Sequence, residues 1–283
     1  MTDLAPILVA GLFREINGHL LTLLRSLAPE DWHRPTGSSE RNVKDIASHL
    51  LDGSLRRLSV QRDGYVPPGP PPHFASYREL ADHLHRLNAA WTTATRRVSP
   101  RILIQWLEAT GGELADLFER LDPFGQALYP VAWAGREESA NWFDIAREYT
   151  EKWHHTQQIS EAVGRPSHIT ARRLYHPCLD TLLRALPFTY RNVPADEGTL
   201  LVVTVVGEAG GDWFLVRDGG AWRQVPEAGG QATARVALGQ DSAWKLFTRR
   251  LDRPTALARF KDIAFEGDRE LGLHVLDVVS VMA

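Results

Sequence analysis

The sequence predicts an α+β chain in two parts, a helical bundle over residues 1–190 and a smaller α+β domain over 191–283. Three observations predict it. Apolar residues recur at helical spacing through most of the first 186 positions, and the pattern becomes strand-like after Pro194. The full length of 283 residues also exceeds what one hydrophobic core usually organises.

Leu8, Leu12, Ile16, Leu20, Leu23, Leu24 and Leu27 predict a first helix over 5–27, closed by Pro29. A turn through Pro35, Thr36, Gly37, Ser38 and Ser39 leads to a second helix over 42–62, in which His49 shares a face with Val43, Ile46 and Leu50. The run Pro67, Pro68, Pro70, Pro71 and Pro72 predicts a stiff extended connection, because proline cannot continue a helix and restricts the residue before it. Helices follow over 76–97 and 101–121, then an irregular crossover over 122–139 long enough to shape a pocket mouth. A helix over 140–163 stops at Gly164-Arg165-Pro166, and one over 169–186 reaches Pro187. Strands are predicted at Thr199 to Val206, Asp212 to Val216, Ala221 to Val225 and Ala232 to Leu238, with a hairpin turn at Asp218-Gly219-Gly220. Helices near 240–251 and 268–281 complete the second unit.

A hydrophobic fraction of 43% with 24% charged residues is ordinary for a globular chain. The formal charge of -3, with no basic run, offers no electrostatic footprint for nucleic acid. The start Met1-Thr2-Asp3-Leu4-Ala5-Pro6 lacks the basic, then apolar, pattern of a signal peptide, and no stretch approaches the roughly 20 apolar residues of a membrane span. The expectation is a cytoplasmic protein without membrane association; oligomeric state is left open. The single cysteine, Cys178, excludes an intramolecular disulfide and a thiolate cage, and among Leu179, Leu182 and Leu183 it reads as a small buried hydrophobe.

Two separated segments carry potential chemistry. Residues four apart lie above one another on a helix, so Glu151 and His155 can close on one ion, with His49 from the second helix completing a three-donor set. Taken singly, His49 also reads as a core histidine bonded to backbone, and Glu151 with His155 as a solvated helix pair. His154 points about 100° away from His155 and reads as a pocket or packing residue. Glu148, one turn before Glu151, has two readings: a candidate catalytic residue that orients a ligand imidazole, or a surface carboxylate. His73, His83, His85, His168, His176 and His274 have no partners at ligand spacing and read as surface residues. The tryptophans at 133, 142, 153, 213, 222 and 244 read as core.

Leu27-Ala28-Pro29-Glu30-Asp31-Trp32, Val43-Lys44-Asp45-Ile46-Ala47-Ser48-His49-Leu50 and the stretch from Glu151 to Ile159 resemble the signatures of the DinB/YfiT-like metalloprotein superfamily. Over nearly its full length the chain is most similar to the mycothiol-dependent maleylpyruvate isomerase branch. Ala243 to Leu251 and Gly267-Asp268-Arg269-Glu270-Leu271 resemble that branch's C-terminal, sterol-carrier-like domain. The resemblance implies an N-terminal DinB-like up-down four-helix bundle with extra helices, and His49, Glu151 and His155 as metal ligands. Many relatives carry histidine where Glu151 stands, so the carboxylate favours the isomerase-like branch. Arg41-Asn42 departs from the Trp-Thr that relatives often place before the first ligand helix.

Two imidazoles and one carboxylate form the donor set of several catalytic zinc sites and leave a position open; nickel, iron and manganese take the same donors. The implied function is metal-dependent use of a low-molecular-weight thiol, mycothiol by the resemblance, to isomerise or conjugate a small electrophile. Arg249 and Arg250 are candidates to neutralise an acidic thiol or substrate. Two other readings stay open: a hydrolase with a metal-activated water, and a non-catalytic protein that binds a metal or an apolar ligand.

Overall fold

The computed structural model describes residues 4–37, 41–66, 68, 77–248 and 251–278. Helix α1 (Phe13–Arg25), entered through a 3-10 turn at Ala10–Leu12, buries Phe13, Ile16, Leu20, Leu21, Leu23 and Leu24 on one face. Helix α2 (Val43–Arg57) opens with a capping box: Asn42 Oδ1 accepts from the Asp45 amide at 2.9 Å, and Asp45 Oδ2 accepts from the Asn42 amide at 3.2 Å. Asn42 thus performs the capping that threonine would perform at this position. The helix widens into a π turn at Leu58–Arg62, which accounts for the predicted reach to residue 62.

Helices α3 (Tyr77–Thr95), α4 (Pro100–Arg120) and α5 (Asn141–Val163) follow, and Gly164 ends α5 in the left-handed conformation, φ +66°. Helices α1, α4, α2 and α5 close a ring in which each packs on two others, and α3 lies outside against α2. Most of the proline run falls outside the described residues. The predicted helix over 169–186 divides into α6 (Arg172–Leu183) and α7 (Leu186–Tyr190), the second carrying Pro187 in its first turn, where its missing N–H costs nothing.

The sheet has the order β3-β2-β1-β4-β5. Its strands are β1 (Leu200–Val206), β2 (Gly211–Asp218), β3 (Ala221–Val225), β4 (Ala234–Gly239) and β5 (Ala264–Gly267). Neighbours are antiparallel except β1 and β4, which run parallel, so the sheet is mixed. Gly219 and Gly220, at φ +57° and +74°, form the two-residue turn between β2 and β3, and the Glu197 carboxylate accepts both of their amides at 3.0 and 2.8 Å.

Helix α8 (Gln240–Phe247) ends earlier than the predicted 251. Helix α9 (Arg253–Arg259), capped by Asp252, and β5 were not predicted from the sequence. The predicted helix over 268–281 is a shorter α10 (Arg269–Leu273) followed by a 3-10 turn at His274–Asp277. Tyr190 Oη donates to the Leu271 carbonyl at 2.8 Å, so a side chain from α7 takes up one of the α10 carbonyls. His176 is a correction to the surface reading: its Nδ1 lies 2.8 Å from the Ala209 carbonyl and its ring stacks on Trp213, because α6 packs on the sheet there.

One apolar cluster, with Leu20, Leu24, Trp32, Ile46, Leu51, Leu103 and Ile159, fills one end of the bundle. A second runs from Phe13, Phe118, Tyr149 and Trp153 through Tyr175 and Leu179 to Val203, Val236, Trp244 and Phe247. The helical part and the sheet part therefore share a continuous core. No helix among the described residues is long and apolar enough to cross a membrane.

Candidate metal centre

Helix α5 crosses the bundle with an unusual burden of buried polar side chains, among them Asp144, Arg147, Lys152, His154, His155 and Gln158. Burying such groups is costly unless they are bonded, so each asks for a partner. The backbone is pinned first: Tyr149 Oη donates to the Leu174 carbonyl at 2.9 Å and Trp153 Nε1 to the Ile169 carbonyl at 2.8 Å. Trp153 stacks on Tyr175 with ring centres 4.1 Å apart, which fixes the rotation of the helix about its axis.

With that rotation set, Asp144, Glu148, Glu151 and His155 fall on one face of α5, toward α2. The structure brings His49, Glu151 and His155 together, one donor atom of each lying within 4.8 Å of the others. The His49 and His155 rings meet edge to face, centres 4.9 Å apart. His155 Nε2 lies 3.1 Å from Glu151 Oε2, while His155 Nδ1 lies 2.7 Å from Gln158 Oε1. An amide oxygen only accepts, so in this amide orientation Nδ1 carries the proton and Nε2 of a neutral ring faces the carboxylate with its lone pair. Two acceptors that close repel unless a cation lies between them or the ring is protonated.

His49 Nδ1 is buried and has no hydrogen-bond partner among the described residues. Burial, helped by the nearby His155, Arg41 and Arg56, pulls the His49 imidazole well below its ordinary range and keeps it neutral. A neutral imidazole is the form that binds metal.

Glu148 reaches Arg57 and Arg147 instead of an imidazole: its Oε1 accepts from Arg57 Nη2 at 3.0 Å and Arg147 Nη2 at 3.1 Å. Burial alone would raise this carboxyl, but the two guanidinium charges outweigh it and hold it below its ordinary value. The acceptor on His155 is Gln158, which the sequence reading passed over because its signal, a position three after a ligand on the same helix, becomes visible only once the ligand is known. Arg57, 3% exposed, also grips Asp144 with two hydrogen bonds of 2.6 and 2.7 Å, tying α2 to α5 two turns from His49. Arg249 and Arg250 lie outside the described residues.

The donors open on a cavity of about 290 Å³ between α2, α3, α5 and the crossover, lined by His49, Arg57, Asn88, Tyr129, Glu151 and Lys152 among others. His85, read as a surface residue, is exposed and stands at its edge. Burial draws the Lys152 ammonium down to about 8, with Glu148 partly offsetting the effect. His154 packs between His155 and Trp244, with ring centres at 4.8 and 5.5 Å, in keeping with a packing residue.

A helical bundle with two imidazoles and a carboxylate converging from facing helices, followed by a mixed-sheet unit, defines the class of this protein. The profile of the mycothiol maleylpyruvate isomerase N-terminal domain matches residues 13–160, and the chain belongs to that family. Two solved structures share its fold over 91% of both chains: the mycothiol-dependent maleylpyruvate isomerase, at 14% identity and a TM-score of 0.52, and a histidine-to-alanine variant of it, at 12% and 0.53. A ubiquinone synthesis protein described as UbiJ-SCP2 covers 35% of this chain and 89% of its own at 22% identity, with a TM-score of 0.26, too low to carry a fold argument. No curated protein matches the sequence.

Proposed function

We propose that the chain is a metal-dependent enzyme that uses a low-molecular-weight thiol, mycothiol by its family, to isomerise or conjugate a small electrophile, in the manner of maleylpyruvate isomerase. The single observation that carries the metal is the approach of His155 Nε2 to Glu151 Oε2 at 3.1 Å while His155 Nδ1 is already engaged by Gln158. That arrangement asks for a cation or a protonated ring, and the unpartnered buried nitrogen of His49 beside it favours the cation. His49, Glu151 and His155 would hold a divalent ion, zinc first and nickel, iron or manganese by the same donors, with a coordination position left open. Such an ion supplies one piece of chemistry when bound: it makes a coordinated thiol a thiolate at neutral pH.

The residues of the chain do the rest. Gln158 fixes the His155 tautomer, Arg57 with Asp144 and Glu148 sets the distance between the ligand-bearing helices, and the cavity walls hold the electrophile against the sulfur. Glu148, clamped between two arginines, acts in this reading through the spacing of α2 and α5 and not as a proton carrier. Thiolate addition to an activated double bond places the electron pair on the activating group and leaves a single bond free to rotate; return of that pair expels the same thiolate and restores the double bond in the other geometry. In a transferase the adduct is protonated and released.

Elemental analysis of the wild type beside His49→Ala and His155→Ala tests the ligand set. About one divalent ion per chain in the wild type, lost in both variants, is the expected result. A wild type that stays metal-free after incubation with zinc, nickel and manganese would overturn it. Turnover of maleylpyruvate with and without mycothiol then tests the use of thiol.

A further inference from the structure

The cavity beside the three donors has a cation in its wall that the reading above leaves unused. Lys152 is 4% exposed and lines the same cavity as His49 and Glu151. Its Nζ reaches across to α1 and donates to Asn17 Oδ1 at 2.9 Å. An ammonium has three N–H donors, and among the described residues this neutral amide is its acceptor. Glu148 acts on it only through space and is bonded to Arg57 and Arg147.

The other cations around the cavity have partners of their own. Arg57 and Arg147 hold Asp144 and Glu148, and Arg56 pairs with Asp52 at 3.1 Å. The seat of Lys152 is a joint construction of three helices. Asn17, 6% exposed, lies against Gly111 of α4, where a Cβ would come within 2.4 Å of the Asn17 amide nitrogen. Glycine at 111 leaves room for the amide, the amide receives the ammonium, and α5 carries that ammonium on the residue next to Glu151.

A buried cation without a contacting counter-charge is costly to the fold and asks for an anion. We infer that Lys152 captures the carboxylate of an unsaturated acid, so that the acid's double bond is delivered beside His49, Glu151 and His155. The inference rests on the proposed function for the reacting partner, and on the cavity alone for the anion. The double bond would be the one attacked by the thiolate, and Lys152 gains and loses no proton in the step.

The test is calorimetric titration of the full-length protein, as purified and after chelation of metal, with maleate and with dimethyl maleate, which has the same skeleton without the charges. Wild type in both states should bind maleate more tightly than the diester. Lys152→Met should weaken maleate at least ~10-fold and abolish the preference, a charge-assisted bond being worth that much or more, and Lys152→Arg should restore part of it. Lys152→Gln serves the same purpose if the Met variant does not fold. A neutral variant that binds maleate as the wild type does, or a chelated wild type with no preference for maleate over the diester, overturns the assignment. A wild type that never carries metal but keeps a Lys152-dependent preference refutes the metal centre and leaves this inference standing.

Discussion

His155 can offer only one nitrogen to an ion, and Gln158 decides which. With Nδ1 donating to Gln158 Oε1 at 2.7 Å, Nε2 is turned toward Glu151 as an acceptor. Gln158→Leu removes that partner while keeping the side chain's bulk, so metal affinity should fall by roughly 10- to 100-fold, read by competition with a chromophoric chelator. Unchanged affinity would show that packing alone orients the ring. Glu148 governs a different property. Its carboxyl is held below the ordinary value in the fold despite burial, so it contributes stability above the unfolded-state pKa, and that contribution is lost as pH falls through the folded-state value. The stability advantage of wild type over Glu148→Gln should therefore be largest near neutrality and shrink as pH falls below ~4.3, measured by urea unfolding at a series of pH values. An advantage that does not vary with pH would mean that the charge is not what Arg57 and Arg147 hold.

Helices α2 and α5 meet along a seam that has the donor triad at one end and the Arg57 network at the other. Replacing Arg57 by Met leaves Asp144 and Glu148 with one guanidinium between them in a buried setting, so unfolding free energy should drop by about 3–5 kcal/mol, with a lower Tm as the simplest readout. A drop below 1 kcal/mol would mean that water reaches the pair. The helices of this seam were legible because Ile46, Leu50 and Ile159 recur on the core side. The face proposed for the chemistry was legible where residue type and spacing coincided, at Glu151 and His155, with His49 of the second helix joined to them as the third donor. Arg57, Asn17, Lys152 and Gln158 were not, because a charged or amide residue in a helix looks the same in a sequence whether it faces water or a buried counter-group. Helix α9 and β5 escaped for another reason: seven and four residues are too few for a periodicity to declare itself, and α9 owes its start to one Asp252 cap.

At the scale of the whole molecule, Trp244 brings the sheet unit up behind the donor triad. Trp244 of α8, 2% exposed, packs on Trp153 at 6.0 Å and on His154 at 5.5 Å, and the adjacent Lys245 Nζ reaches Glu161 Oε1 on α5 at 2.5 Å. His154 in turn stands between Trp244 and His155, so a void at Trp244 opens behind a proposed ligand. Trp222, 5% exposed on β3, packs on Tyr190 and has no such neighbour, which makes it the natural comparison. Both tryptophan-to-alanine variants should lose about 3–5 kcal/mol of stability from the cavities they create. Only Trp244→Ala should also weaken metal binding, because rotation of α5 into the vacated space would turn Glu151 and His155 away from His49 on α2. Chelator competition at a temperature where both variants remain folded separates the two effects. Equal metal affinity in the two variants would mean that the helical bundle holds its donors without help from the sheet.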